Sequence, residues 1–95
     1  MRNYDELILS ANIAMLEKLK ENEHKPGFDK VSFEYGLKRL DEERKELRLA
    51  VINYIHHPSI DTLKEVRREA ADCANFPAMI ILKCDKMIAE LEGKA

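Results

Sequence analysis

From Ala70 to Leu82 the chain reads AADCANFPAMIIL, which is apolar almost all round when wound into a helix. A helix without a polar face has to lie between other elements, so the segment calls for a central helix flanked on more than one side. Asp72 and Asn75 are its polar exceptions, and Glu69 lies one turn before them. Pro77 removes one backbone hydrogen bond and crowds the preceding turn, which predicts a kink or a split into two helices there.

The flanking elements also read as helices. Leu7, Ile8, Ala11, Ala14, Met15 and Leu19 recur at helical spacing and predict a first helix over residues 4–22. Pro26 and Gly27, within ENEHKPGFDKVS, end it in a polar loop. Ser32 is a candidate cap for a second helix running to about Ile55, with a stripe of Leu37, Leu40, Leu47, Ala50, Val51 and Tyr54. A His56-His57-Pro58-Ser59 turn follows. Thr62 with Glu65 has the form of a capping box, and Asp61 adds negative charge at the positive end of a third helix reaching about Leu91. No run reads as a strand. The expected fold is an all-α antiparallel bundle of three long helices, one domain spanning 1–95. At 95 residues the core is small, and oligomerisation is expected to complete it.

A net charge of -2 argues against a broad footprint for a nucleic-acid polymer. No apolar run is long enough for a membrane span. The segment MRNYDELILSAN does not read as a secretion signal. Cys73 and Cys84 stand three turns apart on one predicted helix, roughly 16 Å, too far for a disulfide between them. Reduced thiols and a cytoplasmic location are the expectation. His56 and His57 read as surface residues.

The chemistry lies in two acidic pairs. Glu43 and Glu46 form E-x-x-E; Glu69 and Asp72 form E-x-x-D. Three-residue spacing puts each pair on one side of its helix. Glu43 falls within the apolar arc of Gly36, Leu40, Leu47, Ala50 and Tyr54, with Glu46 on its shoulder. A carboxylate on a core-facing seam is costly without a partner. One answer is an arginine, such as Arg39, Arg67 or Arg68 beside Glu43. The other is a divalent cation among all four acids. Oxygen-only ligands favour Mg²⁺, with Mn²⁺ as an alternative, and no Glu-x-x-His motif is present for a di-iron site. Glu42 and Glu65 lie nearby and read as solvated. Lys25, beside His24, is either part of a polar loop or a nucleotide contact.

The run EYGLKRLDEERKELRLAV followed by EVRREAADCANFPAMI resembles the MazG-like nucleotide pyrophosphohydrolases of the all-α NTP pyrophosphatase superfamily. Their signature is E-x-x-E, a variable gap and E-x-x-D, here Glu43, Glu46, Glu69 and Asp72. EAADCANF matches the small and apolar residues around the aspartate, and HKPGF resembles a basic, glycine-containing segment of the short members. The resemblance covers about residues 22–85. It implies hydrolysis of a nucleoside triphosphate to the monophosphate and pyrophosphate, with those four acids as metal ligands and catalytic groups. It also implies that Asn75 orients a ligand or touches the nucleotide, and that a homodimer or homotetramer completes the pocket. Lys83 and Lys86, beyond Asp72, are candidate phosphate contacts, against the plainer reading of exposed helix lysines. Arg44 and Pro77 depart from the family pattern. The competing expectation is a non-catalytic helical module that binds nucleotide or protein, its acids ion-paired.

Overall fold

Three serine or asparagine caps set where the helices begin. In a computed structural model describing residues 3–23 and 31–93, α1 spans Tyr4–Glu21, α2 spans Phe33–His56 and α3 spans Ile60–Leu91. Asn3 Oδ1 accepts from the Glu6 amide at 2.9 Å, and Ser32 Oγ accepts from the Tyr35 amide at 3.1 Å. Each satisfies an amide that the first helical turn leaves without a partner. No strand occurs among the described residues.

α3 starts three residues earlier than the Thr62-Glu65 pattern suggests. Ser59 is the cap, in an extended conformation, and Thr62 is its reciprocal partner: each side-chain oxygen accepts the other residue's amide at 3.0 Å. The Thr62 hydroxyl also reaches the His57 carbonyl at 2.9 Å, which ties the tight turn to the helix it opens. Glu65 is thereby free for another role. α3 continues through Pro77 as one helix to Leu91, so the expected split does not occur.

The packing order follows from side-chain contacts. Between α2 and α3, Phe33 meets Lys83, Gly36 faces Ile80, Arg39 lies over Phe76 and Glu43 approaches Glu69. Residue numbers rise on α2 as they fall on α3, so the two run antiparallel. Between α1 and α3, Met15 meets Asn75, Lys18 meets Asp72 and Glu21 meets Arg68, so α1 is antiparallel to α3 as well. α1 and α2 each pack on α3 and not on each other. The central helix expected from the 70–82 stretch is therefore α3, but the bundle is an open layer rather than a closed triangle.

That openness leaves a thin core. Ala50 and Ala71 are the buried apolar residues, and no large side chain is fully enclosed among the described residues. The radius of gyration is 15.6 Å, against about 12 Å for a compact chain of this length. The surface of 7617 Å² compares with about 5,600 Å² for a compact monomer of this mass. The α1 stripe packs only through its C-terminal half: Leu7 and Ile8 stay exposed, while Ala14, Met15 and Leu19 are half-buried. Leu9, Ile13 and Leu16 form a second exposed apolar row on α1, and Leu49, Ile52 and Ile55 a third on α2. Among the described residues, no helix is long and apolar enough to cross a membrane.

Candidate metal centre

α2 and α3 are in contact at Gly36. A Cβ placed there would touch Ile80 at 3.5 Å, so α2 and α3 approach closely at that level. Two turns further along α2, Glu43 faces α3 where Glu69 and Asp72 project. One carboxylate oxygen from each of Glu43, Glu69 and Asp72 lies within 4.8 Å of the others, and all three residues are half-buried. Glu46 is exposed and stands outside this group. Three residues rotate a helix by 300°, so Glu46 points about 60° away from Glu43, off the seam that α3 covers.

Each acid in the triad has a local partner. Arg39 Nη2 donates to Glu43 Oε1 at 2.7 Å, while Nη1 of the same guanidinium binds Glu42. The Arg39 guanidinium also lies 5.6 Å from the Phe76 ring centroid, which holds it against α3. Lys18 Nζ lies 3.3 Å from Asp72 Oδ2. Glu69 has a carboxyl neighbour instead. Burial, a hydrogen bond shared with Glu65 and the charges of Asp72, Glu65 and Glu43 push its pKa up to about 7. Glu42 and Glu65, expected to be solvated, are half-exposed members of this network. Cys73 lies beside it; burial, then the negative charges of Glu43, Asp72 and Glu69, raises its thiol pKa. Both cysteines are free thiols.

Lys18 is the residue that sequence reasoning missed. It is 8% exposed and the only charged residue so deeply placed among those described. A signal was present: Lys18 stands four residues after Ala14 and seven after Ala11, so it continues the apolar stripe of α1.

The donor set suits a hard cation. Octahedral Mg²⁺ at about 2.1 Å from each ligand separates its oxygens by about 3 to 4 Å. Carboxylates already within 4.8 Å of each other need to close by only about 1 Å. Three negative groups against two partner cations, with Glu69 titrating near neutrality, leave room for added positive charge.

The other candidates are more dispersed. Asn75 is 5% exposed; its Nδ2 donates to the Met15 carbonyl at 3.3 Å, and its Oδ1 has no partner among the described residues. Lys83 lies 5.4 Å from the Phe33 ring centroid, at the far end of the α2–α3 seam. Eleven residues separate it from Asp72, about 16 Å along the helix. Lys86 is exposed and further still. Lys25 lies outside the described residues. Arg67 and Arg68 turn to α1, where they pair with Glu17 and Glu21 rather than Glu43. Comparison with known protein families, curated proteins and solved structures finds no match to this chain.

Proposed function

We propose that this chain is a Mg²⁺-dependent nucleoside triphosphate pyrophosphohydrolase, able to use Mn²⁺ as well. The observation that carries the reading is the convergence of Glu43, Glu69 and Asp72 from two helices onto one point. A divalent cation there offsets charge on phosphate oxygens and lowers the pKa of an attacking water. Glu43 is held in register by Arg39. Asp72 is available once Lys18 lets go of it. Glu46 reaches the cation only through water from its exposed position.

The active unit is a homo-oligomer, dimer or tetramer. The exposed area exceeds that of a compact monomer by roughly 2,000 Å², more than the roughly 800 Å² per partner that a standard interface covers. The rows Leu9-Ile13-Leu16 and Leu49-Ile52-Ile55 are the surfaces such a partner would cover.

The test is pyrophosphate release from a panel of nucleoside and deoxynucleoside triphosphates, with Mg²⁺, for the wild type, Glu69→Gln and Asp72→Asn. The variants are expected to lose turnover by at least 100-fold with helix content unchanged. Equal release from all three proteins would remove the assignment.

A second reading has its own observation. Glu43 pairs with Arg39 and Asp72 with Lys18, which is how a purely structural acid cluster in a non-catalytic module would be neutralised. That reading predicts no change in melting temperature at millimolar Mg²⁺, whereas a cation bound only by the native state raises it.

A further inference from the structure

A cleft of about 440 Å³ opens between α1 and α3. Its walls carry Lys18, Lys64, Arg67 and Arg68, with Glu17 and Glu21 between them. Three of these cations are paired, Lys18 with Asp72, Arg67 with Glu17 and Arg68 with Glu21, and Lys64 adds a further positive charge to the lining. We propose that this cleft takes the phosphate chain of the substrate, delivering it to the carboxylate triad. The proposal rests on reading that triad as a metal centre, because a metal held by acids turns toward phosphate.

Lys18 joins the two places. It lines the cleft and lies 3.3 Å from Asp72. Arg68 is one turn before Asp72 on α3, a spacing that puts both on the same face. Lys83, by contrast, is three turns beyond Asp72 and engaged with Phe33.

Glu17 and Glu21 now hold the arginines. Arg67 Nη1 donates to Glu17 Oε2 at 3.0 Å, and Arg68 Nη2 donates to Glu21 Oε1 at 2.8 Å. All four side chains are about half exposed, so these pairs contribute little and exchange at small cost. A phosphate chain offers the guanidiniums charged oxygens in bidentate geometry in their place. The volume lies within the range of small-ligand sites. The glutamates thus act as internal competitors, occupying the arginines until a more strongly charged ligand arrives.

The test is calorimetric titration of the full chain with inorganic tripolyphosphate, metal-free and at low salt. It compares the wild type with Arg67→Gln/Arg68→Gln and Glu17→Gln/Glu21→Gln. Both double variants break the same two bridges, so any loosening of α1 is common to them. The cleft predicts opposite signs: binding at least tenfold weaker without the arginines and several-fold tighter without the glutamates. No binding by the wild type, or a change of the same sign in both variants, overturns the proposal. Separate titrations with Mn²⁺ alone keep the two readings apart. Tripolyphosphate binding with those signs but no Mn²⁺ binding removes the metal centre and keeps the cleft. Mn²⁺ binding with no such signs does the reverse.

Discussion

Lys18 Nζ lies 3.3 Å from Asp72 Oδ2, and the lysine is nearly enclosed. This contact joins α1 to the acid triad, and it puts a protein cation where a metal would act. The two compete for one carboxylate. Lys18→Met keeps the stem and removes the charge. It leaves Asp72 and its neighbours unbalanced, so the metal-free protein is expected to lose roughly 1–3 kcal/mol. The same change should tighten Mn²⁺ binding several-fold, because no internal cation has to be displaced. Thermal melts across a Mn²⁺ series read both effects in one experiment.

The helices were legible because their signals are local. Ser32, the α1 stripe and the apolar 70–82 stretch each speak for a few neighbouring residues, and of the four signature acids Glu43, Glu69 and Asp72 lie together. Lys18 and Asp72 are 54 positions apart, and their meeting depends on how α1 docks on α3. Glu46 went the other way: its spacing put it near the seam, but only the position of α3 decides which side of α2 is covered. The Thr62-Glu65 pattern places the start of α3 three residues late because two hydroxyls, Ser59 and Thr62, do what a hydroxyl and a glutamate commonly do.

Gly36 tests the helix contact that brings the acids together. An added methyl would meet Ile80 and Val31 at ordinary van der Waals distances of 3.5 to 3.6 Å. Gly36→Ala should therefore stabilise the protein by about 0.5–1 kcal/mol through helix propensity and a less flexible unfolded chain. Gly36→Leu has no room and should cost about 1–3 kcal/mol by forcing α2 from α3. Denaturant midpoints give both signs.

Asn75 carries a buried oxygen without a partner among the described residues. Its side-chain Nδ2 donates to a helical carbonyl of α1 over a long 3.3 Å. Replacement by leucine removes the orphan acceptor, so Asn75→Leu should leave stability within about 1 kcal/mol of the wild type or raise it. If the Asn75 oxygen serves the nucleotide, KM rises while the melting temperature does not fall.

Glu69 makes stability depend on pH in a direction unusual for a carboxylate. Its folded pKa is about 7 and its ordinary value 4.5, so between those values the native state holds the proton more tightly. The contribution is present at low pH and is lost as pH rises through 7. Metal-free protein should therefore melt several degrees higher at pH 5.5 than at pH 7.5, a gain on the order of 1 kcal/mol. Glu69→Gln should flatten that slope. With Mg²⁺ the trend should shrink or reverse, since a cation needs the ionised carboxylate.

The most direct measurement is Mn²⁺ binding followed by the electron paramagnetic resonance signal of the free ion. Wild-type protein should deplete that signal saturably, Asp72→Asn and Glu69→Gln should lose at least tenfold in affinity, and excess Mg²⁺ should restore the free-ion signal. A free Mn²⁺ signal that is the same with and without the wild-type protein, up to millimolar protein, would contradict the account.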